Sequence, residues 1–212
     1  MVTLPNAATG AETASAARTG KRERTKAANR EAILAAARGV FSDIGYGAAS
    51  VRDIVRGTDL ATGTFYNYFP DKESVLRALV DEIAVEARAR VRAARTSATT
   101  VEGFVADGYR AYFEFLVEDP ATVALMRRNA GTIRTMFDEP ALGAGIEELR
   151  ADLQAAVAAG RLPRHDADLM AAAMVGAGVE VGLRMVEREP LDVERAVTLV
   201  TNVFLGAFER IG

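Results

Sequence analysis

Between Arg30 and Leu79 the chain carries the start and stop signals of four helices within about fifty residues. In the first, Ile33, Ala37 and Phe41 recur at i, i+4 and i+8, with Leu34 and Val40 beside them, so one face is apolar. Gly45 follows Ile44 and suits the left-handed residue that ends a helix. Ser50 is a good N-cap for a second helix, Val51 to about Gly57, with Asp53 at the positive end of its dipole. Thr58, Asp59 and Leu60 form a tight turn before a third helix, Thr62 to Tyr68, which Pro70 forbids from continuing. Asp71 caps a fourth, with Glu73 near its start and Val75, Leu76, Leu79, Val80 and Ile83 as its apolar stripe.

The third helix is too short to be held by burial along its own length. Its seven residues, at about 1.5 Å each, make a rod of roughly 10 Å, about the width of a B-DNA major groove. Phe65 and Phe69 are the expected anchors into the core, and Gly63 lets another backbone come close. Thr62, Thr64, Tyr66, Asn67 and Tyr68 carry hydroxyl or amide groups able to bond phosphate oxygens or base edges. A short helix, a short turn and a polar short helix make a helix-turn-helix, whose second member enters the major groove.

The motifs FSDIGYGAASVRDIV and ATGTFYNYFPDKESVL, within residues 30–79, resemble the DNA-binding domain of the tetracycline-repressor (TetR) family of bacterial transcriptional regulators. The resemblance implies a ligand-responsive regulator, by family default a repressor, that binds a palindromic operator as a homodimer. It places Ser50 and Arg52 near phosphates, and Thr62, Gly63 and Thr64 where bases are met. Tyr66 matches a phosphate-bonding tyrosine, Tyr68 a second aromatic with a similar role, and Lys72 a lysine facing the DNA backbone. Many relatives have lysine where this chain has Thr62, which cannot make a bidentate bond to guanine.

The net charge of −3 divides unevenly: residues 1–95 hold 15 basic and 11 acidic side chains (+4), and residues 96–212 hold 11 and 18 (−7). A cationic N-terminal part on an acidic body directs DNA to one end of the molecule. The densest cationic stretch holds Lys21, Arg22, Arg24, Lys26 and Arg30. It reads as a mobile segment that settles on phosphates or into the minor groove when DNA binds. Residues 1–20, rich in Ala, Thr, Ser and Gly, read as a disordered tail. The chain has no cysteine, which excludes disulfides and cysteine–metal sites, and no cofactor or metal is expected. There is no run of eighteen apolar residues and no secretory signal at the start, so a cytoplasmic protein is expected.

The predicted fold is all-α, with about nine helices. A helix-turn-helix domain over 21–70 is followed by a helical effector-binding and dimerisation domain over 71–212, and helix four, about 71–95, connects the two. The remaining helices cover about 101–118, 120–129 with a turn over 131–137, 140–159, 166–189 and 192–211. The eighth is apolar around much of its circumference, more than one neighbour can cover, and Gly178 and Gly182 permit close helix approach. With the ninth it is expected to form a four-helix interface between two subunits. Candidate effector contacts are Tyr109, Tyr112, Phe113, Met126, Arg127, Asn129, Met136, Phe137, Glu180 and Arg184. Of these, Arg127 and Asn129 flank Arg128 in a string able to hold an acid or phosphate group. The resemblance admits an acyl-CoA or fatty-acid effector.

Two other classes stay open: a helical scaffold that binds only protein, and a small all-α enzyme. An enzyme needs acid, base or nucleophile gathered in a cleft. The only histidine, His165, follows Pro163-Arg164 and is expected at the surface, and no catalytic residue is assigned.

Overall fold

The computed structural model describes residues 8–136 and 140–211, with side chains described over 20–136 and 143–211. Among these residues the chain is all-helical: α1 (Ala8–Asp43), α2 (Gly45–Ala48), α3 (Val51–Arg56), α4 (Thr62–Phe65), α5 (Lys72–Ser97), α6 (Val101–Glu118), α7 (Pro120–Arg134), α8 (Pro140–Ala158), α9 (Ala167–Val186) and α10 (Val193–Ile211).

Short polar side chains set most of the boundaries. Ser50 and Asp53 form a reciprocal capping box at α3, and Asp71 forms another with Ser74 at α5. Thr100, Asp119 and Asp166 cap α6, α7 and α9 through backbone N–H groups of the first turn. Hydrogen bonds from Ser50 and Ser74 hold the Asp53 and Asp71 carboxyls below the ordinary carboxylate range, and those from Ala121 and Thr122 do the same for Asp119. Gly45, at φ 80°, ends α1 in the left-handed region as expected.

Three expectations shift. Helical backbone begins at Ala8, where a disordered tail over 1–20 is expected; the alanine-rich composition of that stretch favours helix. Residues 1–7 lie outside the described residues. Gly45–Ala48 is a separate one-turn helix, which the sequence reading passes over. The third predicted helix is a single α-turn, Thr62–Phe65, continued by tighter bonds from Asn67 N–H to Thr64 O and Tyr68 N–H to Phe65 O before Pro70 stops it.

One core runs the length of the molecule. Phe41 of α1, Ile54 of α3 and Phe65 of α4 are fully buried in the N-terminal part, and Phe113 and Leu116 of α6 and Leu183 of α9 in the C-terminal part. Each such side chain contributes about 1.5–3 kcal/mol on leaving water. Helix α5 joins the two parts through Val75, Leu76, Leu79 and Ile83. Glycines on α9 let it lie close to α6: a Cβ on Gly182 would stand 2.8 Å from Leu116 Cδ1, and one on Gly178 3.2 Å from Tyr109 Cε1. The close approach they permit is therefore made within the chain. Helices α6, α7, α8 and α10 all touch α9, which is long and apolar enough for a membrane span by composition alone and is less than half buried. Leu169 on α9 and Leu199 and Val203 on α10 stay more than half exposed. His165 is half-buried rather than a free surface residue, with its ring 5.4 Å from that of Phe208.

Candidate nucleic-acid interface and effector cavity

Two phenylalanines orient the recognition segment. Phe65 is fully buried and Phe69 nearly so, with ring centroids 6.1 Å apart. Pinning these two turns the intervening residues outward: Thr62, Gly63, Tyr66 and Asn67 are exposed, Tyr66 at 54%, and Thr64 and Tyr68 are half-buried. The Tyr68 hydroxyl accepts a hydrogen bond from Asn29 Nδ2 at 3.0 Å, which ties the segment to α1 and leaves its own hydrogen to donate. Arg52 is exposed on α3. Ser50 is exposed too, but its hydroxyl donates to Asp53 Oδ2 and accepts from the Asp53 N–H. Lys21, Arg22, Arg24 and Lys26 are exposed along α1, so this cationic stretch lies on a helix.

Lys72 does something the sequence does not reveal. Its Nζ donates to Tyr46 O at 2.7 Å and Ala49 O at 2.8 Å, and lies 4.4 Å from the centre of the Tyr46 ring. It fastens α5 to the end of α2, and one N–H remains for any other acceptor.

The opposite side of α2 is fastened by α7. Asn129 is 3% exposed. Its Oδ1 accepts from Tyr46 N–H at 2.6 Å, and its Nδ2 donates to Phe41 O at 2.9 Å and to Leu125 O at 2.7 Å. Arg128 donates to Asp43 O, and its side chain lies where a Cβ on Gly45 would fall. Arg127 donates to Val186 O at 2.6 Å and pairs with Glu189. Arg127 and Arg128 thus each have a partner within the protein, and the amide of buried Asn129 is in use on both its oxygen and its nitrogen.

A largely apolar cavity lies among α5, α6, α7, α8 and α9, with about 1130 Å³ of empty space, part of it open to solvent. Tyr109, Tyr112, Met126 and Met136 line it as expected. Tyr109 donates to Met174 O at 2.9 Å, and burial pushes both tyrosines above their ordinary value, so they meet a ligand as neutral phenols. Phe113 is sealed in the core beside the cavity. Arg127, Asn129, Glu180 and Arg184 are not in the wall. Glu180 pairs with Arg134 at 2.8 Å and Arg184 at 2.9 Å, a bridge from α9 to α7 that holds its carboxyl low. Phe137 lies outside the described residues. The sequence reading missed the α5 wall (Val80, Ile83, Ala87, Arg88, Val91, Arg95) and Glu148 of α8. Alternation between the core stripe and the next row on α5 is the one signal that points to the former.

Residues 33–79 match the family model described as bacterial regulatory proteins, tetR family. The chain is 41% identical over 56 residues to the HTH-type transcriptional regulator EthR of Mycobacterium tuberculosis, a match spanning 26% of each chain. It thus covers about a quarter of that relative's length. Over most of the fold it is similar to the fatty acid degradation regulator FadR of Bacillus halodurans, at TM-score 0.70 and 25% identity, covering 83% of this chain and 94% of that one. It shares the fold of the transcriptional regulator FadR of Bacillus subtilis, solved in complex with stearoyl-CoA, at TM-score 0.66 and 22% identity, covering 82% and 96%.

Proposed function

We propose that this chain, whose residues 33–79 match the tetR family of bacterial regulatory proteins, is a cytoplasmic operator-binding repressor released by a small molecule. The observation that carries the DNA-reading half is the outward display of Thr62, Gly63, Thr64, Tyr66, Asn67 and Tyr68 on a stub held by two buried phenylalanines. Tyr66, Tyr68, Arg52 and the α1 cations meet phosphates; Thr62, Thr64 and Asn67 meet base edges. So small a reading element serves a specific site only in two copies. The exposed apolar residues Leu169, Leu199 and Val203 of α9 and α10 supply the twofold contact, and the two stubs meet major-groove faces about 34 Å apart.

The release half rests on how the cavity helices grip α2. Helix α5 lines the cavity and holds α2 through Lys72; α7 lines it through Met126 and Ile133 and holds α2 through Asn129. Helix α2 runs directly into the Ser50 cap of the helix-turn-helix. An effector that prefers one setting of α5 and α7 selects one spacing of the two stubs, and by linkage operator DNA weakens effector binding by the same factor. The effector's body is apolar; the stearoyl-CoA held by the Bacillus subtilis neighbour supports an acyl chain as one such body.

Selection of bound sequences from random duplex by the purified protein tests this reading. A near-palindrome should emerge, and affinity should fall steeply and linearly on a log–log plot against salt. A strictly monomeric protein, or one that selects no sequence at low salt, overturns it.

A further inference from the structure

Arg95 is the one guanidinium in the cavity wall with a buried, unpartnered nitrogen among the described residues. It sits in the last turn of α5, with a side chain one-tenth exposed. Its Nη2 pairs with Asp152 Oδ2 of α8 at 3.0 Å, its plane lies 5.8 Å from the Phe104 ring, and its Nε has no hydrogen-bond partner. Gly108 makes room for the stem: a Cβ there would stand 3.2 Å from Arg95 Cγ. The chain thus draws a long cation back over α6 into an apolar chamber and satisfies only part of its donor fork. A buried donor left unpaired is costly, so the site favours any guest that brings an acceptor.

The charges of the wall decide what kind of acceptor. Arg88 and Arg95 are positive; Glu148 in the wall and Asp152 on Arg95 are negative, a formal sum of zero. A carboxylate or phosphate placed there gives up its water and meets no net positive charge. A neutral carbonyl oxygen takes the unpartnered N–H without that penalty, once the buried Nε turns toward the cavity. The geometry points to an uncharged, mainly apolar effector with one carbonyl-type acceptor (ketone, ester or amide) seated on the cavity side of the Arg95 guanidinium, while Asp152 holds its other edge. This rests on the reading of the cavity as the effector site, and it distinguishes a neutral head from a free fatty acid on the same apolar body.

Three probes of one chain length test it on the full-length protein by melting shift and competition binding: 2-undecanone, undecane, and undecanoate at about pH 8, where the acid is ionised. The ketone should bind about tenfold more tightly than either of the others. Arg95→Met should abolish that advantage. Asp152→Asn, which leaves the Arg95 charge uncompensated, should raise undecanoate affinity relative to the ketone. Equal binding of ketone and alkane, tightest binding of undecanoate to the unaltered protein, or a ketone advantage that survives Arg95→Met overturns the inference and leaves the cavity as the effector site. Should none of the three shift melting or loosen operator DNA, the effector-site reading falls with it.

Discussion

Tyr66 illustrates how much a single exposed side chain can carry. Its ring leans edge-on against the buried Phe65 at 5.3 Å, yet more than half of the residue faces solvent. Tyr66→Phe keeps the ring and removes one hydroxyl. It should weaken binding to specific and random duplex alike, by about 0.5–1.5 kcal/mol per site, as read from gel-shift titrations on both. Changes at Thr64 or Asn67 should instead alter which sequence is selected. The outward set was legible in sequence because burial of Phe65 and Phe69 dictates what lies between them. Lys72 and Asn129 were not legible. Their partners lie 23–26 and 83–88 residues away along the chain, and local pattern does not encode which backbone carbonyl or amide will arrive beside a polar group. Asn129 looked like a ligand contact only because it follows two arginines.

At the scale of the element, periodicity and punctuation place nearly every helix, because caps, glycines and prolines act through local backbone chemistry. The exceptions are instructive. Helix α2 is a single turn held from both sides by Lys72 and Asn129, so its stability is tertiary and leaves no sequence trace. The glycines of α9 announce a close neighbour without saying which; it is α6. Gly182→Ala should destabilise the fold by about 1–3 kcal/mol through overpacking against Leu116. Gly131→Ala, where a Cβ meets nothing within 4 Å, should stabilise by up to about 1 kcal/mol through helix propensity; urea midpoints of the two variants check both. The caps bear on pH. Asp53, Asp71 and Asp119 have folded values below their ordinary one. Their contribution is complete above the ordinary carboxylate range, about 4, and is lost as pH falls through the lowered folded values. The urea midpoint should therefore drop below about pH 4. Asparagine at all three positions, which keeps a side-chain acceptor without the charge, should flatten that drop.

For the whole molecule, the division of charge that the sequence displays becomes a division of labour: exposed cations along α1 and α3, acidic helices away from them. Helix α9 touches four neighbours of its own chain, yet less than half of it is buried. Leu169, Leu199 and Val203 are the most exposed large apolar residues of α9 and α10, on the surface proposed to meet a second copy. Replacing both Leu199 and Val203 by Glu should therefore shift the protein to a monomer in sedimentation while leaving its helical signal and melting nearly intact, and operator affinity should collapse with the loss of the paired contact. A dimer that survives this double change would move the twofold contact elsewhere.

The Asn129 amide has a longer reach than its size suggests. Both of its polarities are in use at once, one oxygen receiving and one nitrogen giving twice. Aspartate would aim negative charge at two carbonyl oxygens, and leucine would take away the partners of the Tyr46 N–H and the Phe41 carbonyl. Either change should therefore loosen the hold of α7 on the one-turn helix α2 and on the end of α1.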